Sequence, residues 1–192
     1  MATDFAFRKQ AMKTLPTSTG VYVLCDLDEV PIYVGQSRDA IRSRVSRHLT
    51  SARSDIIANR QIDVWEIAFV HAYPVADLEE ISRVEGRLYH HFHATSKLMN
   101  GTVPPMVGSG PAPQPAVKVQ VMSDREIAER KAPEQRLPRQ ASHYAQIVGH
   151  FLAVKNSLQI AGAMDAHFER LKTYHTSLVR SASPNEGEGV EA

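Results

Sequence analysis

The chain holds a single cysteine, Cys25, in 192 residues, so no internal disulfide can form. That usage fits a reducing, cytoplasmic setting, which is the expected location. No run of roughly 18 apolar residues occurs, so no membrane-spanning helix is expected. The opening stretch, MATDFAFRKQAMKTLP, carries charges and has no apolar segment, so no secretion signal is expected. No internal repeat is visible. Net charge is nearly absent as well, at +1, but the average hides an asymmetry. Between Gln36 and Arg60 lie six arginines (Arg38, Arg42, Arg44, Arg47, Arg53, Arg60) against Asp39 and Asp55, a local +4. Such a block can neutralise phosphates, or it can be a solvated helix face.

What is present is 43% apolar residues, enough for one domain and an accessory segment. Asp4 to Lys13 reads as a short helix ended by Pro16. Gly20 to Asp26 and Pro31 to Gly35 read as two strands of an antiparallel hairpin with an acidic turn. Arg38 to Thr50 reads as a helix. Ile62 to Val70 reads as a third strand, with Trp65 and Phe69 on one side. Asp77 to Thr95 reads as a long helix. Gly101 to Pro115 has the Pro and Gly content of a linker, within a connecting segment 104–139. Val117 to Met122 reads as a short strand. Ser123 reads as the cap of a helix over Asp124 to Lys131. Gln140 to Arg180 reads as helical, with a break near Gly162 and with Ile147, Val148, Phe151 and Leu158 on one face. The tail from Ser183 has the composition of a disordered segment.

At 100° per residue, Leu78, Ile81, Val84, Leu88 and Phe92 make one apolar stripe on the long helix. Glu85 falls inside it. A carboxylate there is costly unless it pairs with an arginine or binds a metal. On the shorter helix, Ile41, Val45 and Leu49 form the buried stripe, flanked by Arg44 and His48 four residues apart. An arginine at that place can fork onto a phosphate. A histidine beside it can move a proton near neutral pH, or simply pack. Tyr22 and Tyr33 stand near glycines on the two hairpin strands. Their phenols can pack, bind a phosphate oxygen or carry a proton. His90, His91 and His93 project to different sides, and without nearby cysteines they are not read as a zinc site. Cys25 reads as a small buried hydrophobe, and Trp65 as core.

The order Gly20-Val21-Tyr22, Tyr33-Val34-Gly35, Arg44-Val45-Ser46-Arg47-His48, Glu85 and Asn100 resembles the GIY-YIG nuclease superfamily. The resemblance spans roughly Ser18 to Gly101. It implies an α+β fold, a small mostly antiparallel three-stranded sheet flanked by helices. The nuclease domain would then cover 18–103, with a C-terminal helical extension beyond it. It also implies one-step hydrolysis of DNA phosphodiester bonds with one Mg²⁺ or Mn²⁺; RNA stays open as a substrate. Glu85 would hold the metal, Tyr22 would orient or deprotonate water, and His48 would relay the proton. Arg44 would steady the phosphoryl group, Tyr33 would hydrogen-bond the phosphate, and Asn100 would buttress the site or touch the substrate backbone. Gln36 stands where repair-type members carry lysine, which favours His48 as proton acceptor. Arg42 rivals Arg44 for the arginine role. Gln36, Arg38, Arg42 and Arg47 would contact substrate, with Arg53 a further phosphate contact. A binding scaffold without cleavage is the alternative function. The 140–180 segment could self-associate, bind DNA or pack back on the core. Nothing after the linker matches a helix-turn-helix or zinc-finger pattern.

Overall fold

The computed structural model describes residues 4–50, 54–106, 110–154 and 157–182. Arg53 and the tail 183–192 lie outside the described residues. Helix α1 (Phe5–Met12) opens with Asp4, whose side chain accepts from the Phe7 N–H. Strands β1 (Gly20–Cys25) and β2 (Pro31–Ser37) form the expected antiparallel hairpin. Its acidic turn is built by Asp26, whose Oδ1 accepts from the N–H groups of Asp28 and Val30, both at 2.9 Å. The regular part of the ladder sets Tyr33 opposite Leu24 and Gly35 opposite Tyr22, and an irregularity follows between Leu24 and Cys25. Helices α2 (Ile41–Thr50) and α3 (Asp55–Ala58) follow.

The third strand begins later than the alternation predicts. Val64–Glu66 is a 3₁₀ turn, and β3 runs over Phe69–Pro74. The cause is Asp63, whose side chain accepts from the Trp65 N–H and turns the chain before it can extend. Helix α4 (Leu78–His93) opens on Asp77, which caps the Glu79 N–H. Glu79 and Glu80 lie in its first turn and three histidines in its last, as the helix dipole favours.

The sheet has four strands, all antiparallel, in the order β2-β1-β3-β4. The three-stranded expectation falls one short because β4 (Val117–Gln120), read as a strand within the connecting segment, docks on β3. It covers an edge that would otherwise present unpaired backbone groups. One face of the sheet packs on α2, on Met12 and Leu15, and on Ala166; the other packs on α4 through Ile81, Val84, Leu88 and Tyr89.

Helix α5 (Asp124–Lys131) is capped by Ser123, as expected. The helical extension differs from its expected form. It is two helices, α6 (Pro133–Ala153) and α7 (Leu158–Ala182), and Gly162 lies inside the second. An added Cβ at Gly162 would meet nothing within 4 Å, so this glycine costs helix propensity without breaking the helix. Leu158 therefore leaves the face shared by Ile147, Val148 and Phe151, and it is 93% exposed. Both helices pack against the domain built on the sheet. Arg139 makes two 2.7 Å bonds to Asp63, and His143 and His167 donate to the Arg60 and Gln61 carbonyl oxygens at 3.1 and 2.9 Å. The rings are oriented toward carbonyl oxygens, so each Nε2 carries the donor hydrogen. Among the described residues, no helix is long and apolar enough to cross a membrane.

Candidate active site

The two glycines of the hairpin have a steric reason. Gly35 lies beside Tyr22 across the ladder, and a Cβ there would meet the Tyr22 Oη at 2.5 Å and the Tyr33 ring at 2.7 Å. Gly20 has φ +147°, and its Cβ would stand 2.2 Å from the Tyr73 carbonyl oxygen. The bare backbone at Gly35 lets the Tyr22 ring lie across β2, while that at Gly20 lets β1 approach the end of β3. Tyr22 then sits with its centroid 6.3 Å from Tyr33 and 5.6 Å from His48.

Tyr22 is fully buried. Its hydroxyl is 2.6 Å from His48 Nε2, and the Arg44 side chain also hydrogen-bonds it. Burial pushes the phenol well above its ordinary range; Tyr33 and Glu85 add to this, and Arg44 opposes it. Tyr22 is therefore a neutral phenol at rest. His48 is 1% exposed, and its Nδ1 is 2.6 Å from the Ser54 Oγ. Tyr33 is the half-buried member of the group.

Glu85 points from α4 toward the end of β2. It is half-buried, and its Oε2 accepts from the Gln36 amide at 2.8 Å. Burial raises its carboxyl to about 6, against a smaller opposing effect of the Gln36 hydrogen bond. Among the described residues Glu85 forms no ion pair, so the arginine partner weighed for this position is not what the fold provides.

Arg38, Arg44 and Arg47 line a cleft of about 100 Å³ together with Gln36, Ser37 and Ser43. Arg42 is directed elsewhere. Its guanidinium donates to the carbonyls of Leu15, at 2.6 and 2.9 Å, and Lys13, tying α2 to the end of α1. Asn100 pairs with both backbone groups of Val34, accepting from its N–H at 3.1 Å and donating to its oxygen at 2.6 Å. It closes the outer edge of β2 behind the tyrosines.

The fold thus brings Tyr22, Tyr33, Arg44, His48, Gln36 and Glu85 to one end of the hairpin, with Arg38 and Arg47 at the rim. Ser54 joins them without any signal in the sequence. It follows His48 by six residues, outside α2, so no helical spacing links the two.

Outside this group, His93 Nδ1 accepts from the Leu98 N–H and His90 Nε2 donates to the Pro104 oxygen. Among the described residues, no group of three or more His, Cys, Asp or Glu could hold a metal ion. Cys25 is buried, which raises its thiol. Trp65 is half-buried beneath the Arg130 guanidinium, 4.9 Å from the ring centroid.

Comparison with curated proteins and with solved structures gives no match. The family model of the GIY-YIG catalytic domain, a family of endonucleases, matches residues 18–95. That span contains both tyrosines, Arg44, His48 and Glu85, while Asn100 follows it. On this match and the four-stranded α+β fold beneath it, residues 18–95 form a GIY-YIG catalytic domain, the domain of the GIY-YIG nuclease superfamily.

Proposed function

We propose that this domain is a divalent-metal-dependent endonuclease that hydrolyses DNA phosphodiester bonds in one step. Glu85 carries the reading. A half-buried carboxylate with a raised pKa and no ion pair among the described residues is a site in want of a positive charge. A single carboxylate suits Mg²⁺ or Mn²⁺, which keep most of their own water and take phosphate oxygens. It does not suit an ion that needs three or four protein ligands. When bound, the ion supplies charge stabilisation at the phosphoryl and leaving oxygens.

The remaining steps belong to the chain itself. Arg38 and Arg47 draw the DNA backbone to the rim. Arg44 forks onto the scissile phosphate and Tyr33 hydrogen-bonds it. Arg44 covers the Tyr22 hydroxyl in the free protein, so its turn toward the phosphate uncovers that hydroxyl. Tyr22 then takes a proton from the attacking water while passing its own to His48 Nε2. A phenol raised so far cannot act as a resting phenolate, so this concerted handover is the route open to it. Gln36 holds Glu85 in place. The full burial of Tyr22 is also what a non-cleaving DNA-binding scaffold would show, and a cleavage assay with metal or chelator separates the two.

The pH dependence has a definite sign. Glu85 binds metal as the carboxylate, and its carboxyl titrates near 6 in the free protein. At limiting Mg²⁺, cleavage is expected to fall as pH drops through 6, by about tenfold per unit below it. Raising Mg²⁺ is expected to move the midpoint to lower pH. Gln36→Leu removes a hydrogen bond that favours the carboxylate and is expected to move it higher. A profile flat down to pH 5 at limiting metal would contradict this role for Glu85.

A further inference from the structure

We propose that Ser54 is a positioning residue that fixes the tautomer of His48, so that Nε2 faces Tyr22 with a bare lone pair. The inference rests on the nuclease reading above. It starts from three side chains in a line, Tyr22 Oη, the His48 ring and Ser54 Oγ, with 2.6 Å at each junction and at most 1% exposure at each residue.

The direction of the hydrogen bonds follows from Arg44. A guanidinium only donates, so the Tyr22 oxygen accepts from Arg44. The buried Tyr22 proton then needs an acceptor, and His48 Nε2 stands in reach. With Nε2 accepting, a neutral His48 carries its hydrogen on Nδ1 and donates it to the Ser54 oxygen. The opposite tautomer would place a hydrogen on Nε2, and His48 could then take no proton from Tyr22. During hydrolysis one proton moves from water to Tyr22 Oη and one from Tyr22 to Nε2. The resulting imidazolium keeps its Nδ1–H on Ser54.

Ser54 is itself held firmly. Its carbonyl accepts from the Ile57 and Ala58 N–H groups, which makes it the first residue of the α3 turn. The chain that continues from α3 is braced by the extension. His143 and His167 hold the Arg60 and Gln61 carbonyls, and Arg139 and Gln140 hold Asp63. This gives the α6–α7 pair a place in the chemistry: it anchors the segment that presents Ser54.

The test uses the full chain, with Ser54→Ala and Ser54→Thr, and reads both ring nitrogens of His48 by ¹⁵N NMR. The wild-type protein is expected to show a protonated Nδ1 and a bare Nε2, and Ser54→Ala a mixture of tautomers. kcat on plasmid DNA is expected to fall on the order of 10- to 100-fold in Ser54→Ala, with KM and melting temperature little changed. Ser54→Thr keeps the Oγ and is expected to restore both the tautomer and kcat. A wild-type Nε2–H tautomer, or a Ser54→Ala protein with the wild-type tautomer and kcat, would overturn the proposal. The NMR reading needs no activity. A chain that cuts nothing but shows the expected tautomers would sink the nuclease reading and leave the positioning role standing.

Discussion

Arg44→Ala is expected to lower the single-turnover cleavage rate on the order of a hundred- to a thousandfold, the effect of losing one aimed donor at a developing negative charge. Arg42→Ala is expected to leave that rate close to wild type. The two arginines are two residues apart and rivals for one role in the sequence, with Arg44 preferred for its spacing to His48, and they do different things. Arg44 lines the cleft beside Gln36 and hydrogen-bonds Tyr22. Arg42 spends its guanidinium on the Leu15 and Lys13 carbonyls. Its loss should appear instead as about 1–2 kcal/mol of stability, the range for hydrogen bonds from a charged donor. Arg44→Lys keeps the charge but not the fork, so it is expected to recover only part of the rate. Cleavage kinetics and thermal melts of the three variants check the division. Equal rate losses at both positions would contradict it.

Arg136→Met is expected to be the most destabilising single change, at about 3–5 kcal/mol. By the scaling for a chain of this size that is a fall in Tm of roughly 10 °C. Arg136 is 6% exposed and reaches Glu66, Asp26 and Asp28 at once, with its guanidinium stacked 4.1 Å from the Tyr174 ring centroid. Burial works against its charge, but Glu66, Tyr174 and Asp28 outweigh that and push the guanidinium further up. Removing it leaves Glu66 buried without its cation, and that desolvated charge is the main cost. Arg136→Met combined with Glu66→Leu is therefore expected to be more stable than Arg136→Met alone. Denaturant melts check the order; a double variant less stable than the single one would show that the cost lies in packing.

The parts of the site legible in the sequence are those set by local geometry. Helical spacing alone put Glu85 inside an apolar stripe and set Arg44 and His48 on one flank of α2. The hairpin reading set the two tyrosines on neighbouring strands, and the register places them diagonally, Tyr22 opposite Gly35 and Tyr33 opposite Leu24. The parts that were not legible depend on distant partners. One side-chain hydrogen bond from Asp63 converts the start of the expected third strand into a turn. The fourth strand has its place only because β3 presents an open edge. Arg136 meets Glu66 across 70 residues of chain, and its charge alone reads as a surface feature. Ser54 lies in a stretch with no periodicity, and only the fold brings its hydroxyl to His48. Gln36 stands beside the YVG motif, and nothing in the sequence shows that its amide donates to Glu85 across 49 residues of chain.

The central claim is that Glu85 holds the metal for hydrolysis of a nucleic-acid backbone. The most direct measurement is supercoiled plasmid incubated with the wild-type protein and with Glu85→Ala, each in Mg²⁺, Mn²⁺ or EDTA. Nicking or linearisation by the wild type that stops in EDTA and is absent in Glu85→Ala is the predicted result. Cutting that survives EDTA or Glu85→Ala would contradict it, as would salt-sensitive binding of plasmid, single-stranded and branched DNA without any cleavage.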